Sequence, residues 1–395
     1  MSYKKTYLLF SLVTCLVLSG SQAVFAEADF KVAGWLPYWK ASESMKDAKS
    51  HLSSLDSVYP FGYTLQSDGT IKDLFNVKNS ASTRFFKSAR SNYVEIIPTV
   101  MTSSGKDSFT VLSNDVLRKK HIEEIASMIK KGKFDGVDID YEGKWAETRP
   151  YFSLFLKELK QKIGGKVLSC TIEARTPPED LYKQVPKTLE YSNDFEYIGK
   201  HCDRVQIMAY DQQRADLKLN SQKIGLPYVP LADVDWVRKV VLHTIKTIPK
   251  EKIMLGVPTY GHEYEITASP EKFNGYKKLW ALNPVYATDT AKEYKLQPSR
   301  SRAGEMSFSY FATSSPFRVL KSVSVSPQTA SGDVVAMQAL TFANNAKTQV
   351  KFNLIIWTDK EAVKQKVDLA RELGLRGVAI FKIDNGEDKG IWDLF

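Results

Sequence analysis

Three carboxylates at alternate positions, Asp138, Asp140 and Glu142, stand inside the otherwise apolar run Phe134-Asp135-Gly136-Val137-Asp138-Ile139-Asp140-Tyr141-Glu142. Side chains alternate faces along a β-strand and each residue rises about 3.3 Å, so these acids share one face at intervals of roughly 6.6 Å. Val137, Ile139 and Tyr141 take the other face. A buried charge is costly unless it is paired, hydrogen-bonded or neutralised by a shared proton, so three acids aimed inward point to chemistry. Stacked carboxylates share protons, which holds the outermost, Glu142, protonated near neutral pH, as a general acid must be. Two other readings compete: a solvated edge strand and a site for Mg²⁺ or Ca²⁺. The apolar alternation argues against the first. Val137 and Ile139, standing where a cation-binding loop needs turn residues, argue against the second.

Glycoside cleavage uses a protonated carboxyl of this kind. The usual retaining route adds a second carboxylate about 5 to 5.5 Å away, across the sugar, as nucleophile. Asp140 projects from the same side of the same strand, so it is better placed to orient a substrate group than to attack the anomeric carbon from the opposite face. The alternative is attack by a 2-acetamido oxygen of the substrate itself, with Asp140 steering the acetamido N–H.

The elements that position these acids read as alternating strands and helices. Candidate strands are 32–36, 57–63, 94–100, 136–141, 167–173, 204–209, 253–259 and 377–383. Ile122, Ile125, Ala126 and Ile129 repeat at helical spacing, with Gly132 as the expected stop. Phe152, Phe155, Leu156, Leu159 and Ile163 do the same behind Thr148 as a candidate cap and Pro150 in the first turn. Val363, Val367, Ala370 and Leu373 mark a last helix ended by Gly374. Eight strand–helix units close into an α/β (β/α)₈ TIM barrel, whose chemistry lies at the C-terminal ends of the strands, where Glu142 sits. The rhythm breaks between 262 and 350, which predicts a small α+β insertion walling one side of the active-site mouth. The expected organisation is a leader over 1–26, a barrel over 27–261 and 351–395, and the insertion over 262–350.

Asp135-Gly136-Val137-Asp138-Ile139-Asp140-Tyr141-Glu142 resembles the DGxDxDxE signature of family 18 glycoside hydrolases, the chitinases and endo-β-N-acetylglucosaminidases that use substrate-assisted retention. Gln206-Ile207-Met208-Ala209-Tyr210-Asp211 resembles that family's sixth-strand motif, and Gly256-Val257-Pro258-Thr259-Tyr260-Gly261 its seventh. The resemblance implies Glu142 as acid/base, Asp140 as the acetamido-orienting carboxylate, Asp138 as its proton-sharing partner and Tyr210 as a donor to the acetamido carbonyl. Met208 and Asp211 would line the same subsite. Parity agrees, since Gln206, Met208 and Tyr210 alternate onto one face. Gln206, Phe381, Trp39 and Tyr260 complete the candidate substrate-binding set, with Asp135 counted as a structural member of the signature. Phe381 occupies the eighth-strand position where the family usually carries tryptophan under the reactive sugar. A phenyl ring still stacks on a sugar face, with less area. Trp35 and Tyr38 end the first strand beside Trp39 and are stacking candidates too. Trp280, Trp357 and Tyr264 are weaker ones.

The implied function is cleavage of β-1,4 bonds in N-acetylglucosamine-containing polymers, chitin or chito-oligosaccharides. The alternatives are a peptidoglycan endo-β-N-acetylglucosaminidase and a lectin on the same fold. The rest of the composition sets the context. Lys4 and Lys5 precede an apolar Tyr7–Gly20 stretch and Val24-Phe25-Ala26, the pattern of a secretory signal, so an exported protein, secreted or periplasmic, is expected. Cleavage after Ala26 leaves 369 residues and removes both lysines, lowering the formal charge from +10 to +8. The lysines are spread along the chain, which favours a solvated surface over a nucleic-acid partner. No later run is long and apolar enough for membrane insertion. A monomer is expected. Cys170 and Cys202 either pair or remain buried thiols. With no CxxC pair and five dispersed histidines, no metal and no cofactor is expected.

Overall fold

The structure, a computed structural model, describes residues 30–395; the leader expected over 1–26 lies outside the described residues. Eight parallel strands form a closed barrel: β1 (Lys31–Pro37), β2 (Ser57–Leu65), β3 (Thr99–Thr102), β4 (Gly136–Tyr141), β5 (Val167–Glu173), β6 (Arg204–Met208), β7 (Ile253–Pro258) and, last in the chain, β12 (Gly377–Phe381). β1 closes the ring by pairing with both β2 and β12. The register brings Thr99 beside Asp138, Met101 beside Asp140, and Thr171 beside Gln206.

The inward and outward faces of β4 are both buried, but by different partners. Val137, Ile139 and Tyr141 join the cluster under the surrounding helices, whereas Asp138 and Asp140 face the barrel interior. The helix Asp115–Gly132 is capped by Asn114, whose side chain accepts the Leu117 N–H at 3.1 Å, and buries Ile122, Ile125, Met128 and Ile129. The helix Arg149–Ile163 buries all five residues of its predicted stripe, each contributing about 1.5–3 kcal/mol. The helix Lys360–Glu372 starts at Asp359, which caps Ala362, and stops before Gly374 in a left-handed conformation.

Several expectations shift by a few residues. The third strand is split into Glu95–Ile96 and β3, because Pro98 carries no N–H for the ladder, although its carbonyl still accepts from Asp138. Gly132 is not the left-handed stop; it ends the helix and Lys133 takes the positive φ. A Cβ on Gly132 would lie 2.2 Å from the Phe134 ring, which accounts for glycine there. Thr148 precedes its helix but makes no capping hydrogen bond.

The insertion is an α+β lobe built on an antiparallel sheet of β8 (Gly261–Ser269), β9 (Lys272–Leu282), β10 (Met306–Tyr310) and β11 (Val350–Trp357), with the short strand Ser299–Arg300 at its edge. Helices Pro284–Glu293 and Val334–Ala346 complete it. β11 pairs with β8 from Val350 to Trp357, so residues 351–357, assigned to the barrel from sequence, belong to the lobe sheet. An apolar run there does not reveal which sheet it joins. Cys170 and Cys202 form a disulfide between β5 and the approach to β6. Among the described residues, no helix is long and apolar enough to cross a membrane.

Candidate active site

Asp138, Asp140 and Glu142 step up the inside of β4 toward the barrel mouth. Asp138 is fully buried and accepts hydrogen bonds from Thr99 and Thr171, each at 3.0 Å, and from Gln206 at 3.3 Å. Burial raises its carboxyl above the ordinary range, and those donors pull it back. Asp140 is 3% exposed, and its Oδ1 has no hydrogen-bond partner in the structure. Burial pushes its carboxyl well above the usual value, reinforced by Glu142, Asp138 and Glu173 and opposed by Lys144. Glu142 lies just past the strand's end, half-buried at the rim, and burial followed by the charge of Glu173 raises it too. A protonated carboxyl at the rim can therefore give up a proton, above a buried acid with an acceptor to spare.

Asp140 and Glu142 open into a cavity of about 390 Å³ lined by Asp140, Glu142, Glu173, Met208, Tyr210, Asp211, Tyr260, Phe381 and neighbouring groups. A second cavity, of about 430 Å³, adjoins it between barrel and lobe and contains Trp39. Asp211, Tyr260 and Phe381 line both. A larger cavity, of about 470 Å³, lies outside the barrel near Tyr63, Phe86 and Met128 and holds none of the three acids; the convergence of titratable groups, not size, marks the site.

Phe381 forms the apolar floor. Its ring stacks on Tyr210 with centroids 5.4 Å apart and meets Trp35 and Tyr260 edge-on at 5.7 and 6.0 Å. Gly256 on β7 makes room for Tyr210: a Cβ there would lie 2.4 Å from the Ile207 carbonyl and 3.0 Å from the tyrosine ring. Burial and the nearby Asp140 hold the Tyr210 phenol well above its ordinary value, so it stays a donor. Asp211, at φ 56°, accepts from Tyr260 at 2.7 Å and lies 3.4 Å from His262.

Three candidates line neither cavity: Asp138, fully buried below Asp140, and two others. Asp135 lies just before β4, at the opposite end of the strand, where its carboxylate accepts the Ile96 N–H at 2.9 Å and braces the strand pair. Gln206 is fully buried beneath the site, bonded to Asp138 and Ser169, because alternation gives the face of a residue but not its depth. Of the weaker aromatic candidates, Trp357 and Tyr264 are buried in the lobe's packing, and Trp280 lines neither cavity. Sequence reasoning missed Glu173 at the end of β5. Its carboxylate accepts from Asn193 at 2.5 Å, and it lines the first cavity beside Glu142, on the strand paired with β4. It also missed Lys40, Lys278 and Lys382 in the second. Among the described residues, no group of three or more His, Cys, Asp or Glu side chains is arranged to hold a metal ion.

The family model for glycosyl hydrolases family 18 matches residues 31–386. The chain belongs to family 18. Among curated relatives, this family 18 chain is 22% identical over 292 residues to a protein described as an uncharacterized glycosylase, YvbX, of Bacillus subtilis, a match covering 71% of this chain and 66% of that one. It is 23% identical over 332 residues to a cortical fragment-lytic enzyme of Bacillus anthracis, covering 82% and 63%. A probable chitinase 2 of Drosophila melanogaster is 28% identical over 169 residues, covering 40% and 32%. The matches thus span about a third to two thirds of these relatives' lengths. Two solved structures share the fold: the spore cortex-lytic enzyme SleL of Bacillus cereus, with TM-score 0.66 at 18% identity over 92% of this chain and 73% of that one, and a chitinase of Chromobacterium violaceum, with TM-score 0.65 at 17% identity over 92% and 97%.

Proposed function

We propose that this family 18 enzyme is an exported, retaining hydrolase that cuts β-1,4 bonds next to N-acetylglucosamine by substrate-assisted catalysis. The observation that carries this reading is the buried Asp140 oxygen without a partner, directly below Glu142 in a cavity floored by Phe381 and Tyr210. An acetamido group on the sugar supplies what that oxygen lacks. Its N–H donates to Asp140, while the Tyr210 hydroxyl donates to its carbonyl oxygen. Glu142 gives its proton to the glycosidic oxygen as that bond breaks, and the acetamido oxygen bonds to the anomeric carbon from the opposite face. Asp140 passes its own proton to Asp138 and, as a carboxylate, stabilises the resulting oxazolinium cation, whose N–H stays on nitrogen. Glu142, now ionised, takes a proton from the water that opens the ring and restores the configuration.

The chitinases and the cortical fragment-lytic enzyme among its relatives support a GlcNAc-containing polymer as substrate, and chitin or its oligomers are the simplest member of that class. Replacing Glu142 by Gln keeps the shape of the side chain and removes its acid. Release of reducing ends from N-acetylglucosamine oligomers should fall by about 10²–10⁴-fold, with oligosaccharide binding retained. Hydrolysis persisting in Glu142→Gln contradicts the assignment. Binding without any release by the unaltered protein would instead mark a lectin.

A further inference from the structure

Resting on the proposed hydrolysis, we propose that the cavity between barrel and lobe takes a sugar bearing a carboxylate, of the 3-O-lactyl kind found in muramic acid, as the neighbour on the glycon side of the reactive N-acetylglucosamine. Glu142 and Glu173 line only the first cavity, and the acid must stand at the bond to be cut, so the leaving-group side begins beside them. The second cavity continues beyond Phe381, Tyr260 and Asp211, away from those two glutamates, and thus receives the sugars on the side that keeps the anomeric carbon.

Its lining is cationic in a way that a neutral polymer does not use. Lys40 follows β1, Lys278 lies on β9 and Lys382 follows β12, so the three ammonium groups come from separate parts of the chain and converge on one space. Lys382 is already engaged, bonded to Asp384 and, at 2.9 Å, to Asn283. Asp211, the other acid in the lining, accepts from Tyr260 and sits beside His262. Lys40 and Lys278 are exposed and have no carboxylate partner among the described residues, and Lys278 opposes protonation of the neighbouring His262. Two unneutralised ammonium groups remain beside Trp39, a half-exposed indole suited to stack on a sugar ring. A carboxylate on that sugar pairs with them. Unsubstituted N-acetylglucosamine offers only neutral hydroxyl and amide groups there.

Exposed ammonium–carboxylate pairs are individually weak and are screened by salt, so two of them set a preference of severalfold, about thirtyfold at most. The test uses glycan strands of alternating N-acetylglucosamine and N-acetylmuramic acid freed of peptide, the same strands with the lactyl carboxylates converted to primary amides, and N-acetylglucosamine oligomers. The ratio of kcat/KM for the acid strands to that for the amidated strands should reach severalfold at low salt and approach one in 0.5 M salt. It should also approach one in Lys40→Ala/Lys278→Ala and persist in Lys40→Arg/Lys278→Arg. A ratio of one in the unaltered protein at low salt, or a preference that survives the double alanine change, overturns the inference. Binding of both strand types to Glu142→Gln gives the same comparison without turnover. Cleavage of N-acetylglucosamine oligomers with no preference between acid and amidated strands removes only this inference. Failure to cleave any of the three removes the hydrolytic reading beneath it.

Discussion

Asp140 carries the largest electrostatic cost among the site's acids, and that cost has a sign that can be checked. Burial lifts its carboxyl well above the ordinary range, so the folded protein holds a proton there that the unfolded chain gives up near pH 4. Stability contributed by this group is therefore complete below pH 4 and is lost as pH rises toward its folded value. Asp140→Asn removes the cost. The variant should be more stable than the parent at pH 7, by roughly 1–3 kcal/mol in chemical denaturation, with the gain shrinking toward pH 4, while turnover falls sharply. Glu142 gives the corresponding kinetic signature. It acts protonated and its carboxyl is raised by burial and by Glu173, so kcat/KM should fall on the alkaline side, through a group ionising above the usual carboxylate range. Glu173→Gln should move that limb to lower pH, and an unmoved limb would exclude the influence of Glu173. The three acids of β4 were legible because one strand carries them in register. Glu173 was not: it is a lone acid at the end of a different strand, and only the pairing of β4 with β5, whose register continues from Ile139 beside Cys170, brings it next to Glu142. Gln206 and Asp135 misled for a related reason, since parity and motif membership say nothing about height along the barrel.

Strands and helices were legible where a period of two or of 3.6 is carried by apolar residues, as in β4 and in the helix Arg149–Ile163. They were less so where one backbone group decides. Pro98 interrupts the third strand although Ile96, Ile97 and Val100 around it are apolar, and the lobe strand Val350–Trp357 follows the same alternation as a barrel strand would. The disulfide was an open alternative because pairing depends on how far apart β5 and the approach to β6 lie. Cys170 and Cys202 are buried and separated by 32 residues, so the cross-link removes chain entropy from the unfolded state worth about 3–4 kcal/mol. Cys170→Ala/Cys202→Ala should lower unfolding free energy by roughly 2–4 kcal/mol in urea, with the product pattern on oligosaccharides unchanged. An equal stability of the two proteins would show that the link constrains little.

Barrel and lobe are fastened through a buried carboxylate that the sequence did not announce, because its backbone partners lie 73 and 74 positions away. Glu305, just before β10, is fully buried and accepts the backbone N–H groups of Leu231 and Ala232 at 3.0 and 2.7 Å. Lys366, on the helix Lys360–Glu372, is fully buried with no hydrogen-bond partner among the described residues, and its charge acts on Glu305 against the cost of burial. Glu305→Leu leaves those two backbone donors buried without an acceptor. It should cost about 2–6 kcal/mol in chemical denaturation, whereas Glu305→Gln, which keeps an acceptor, should lose much less. The lobe these residues secure supplies one wall of the second cavity, so its loosening should weaken binding of long substrates before that of short ones. What the assembled enzyme does to the anomeric centre tests the account most directly. Proton NMR of the first product released from an N-acetylglucosamine oligomer, recorded before mutarotation, should show the β anomer, as required when the substrate's acetamido group attacks first and water second. Initial release of the α anomer would mean a single displacement by water and would contradict the mechanism built on Glu142 and Asp140.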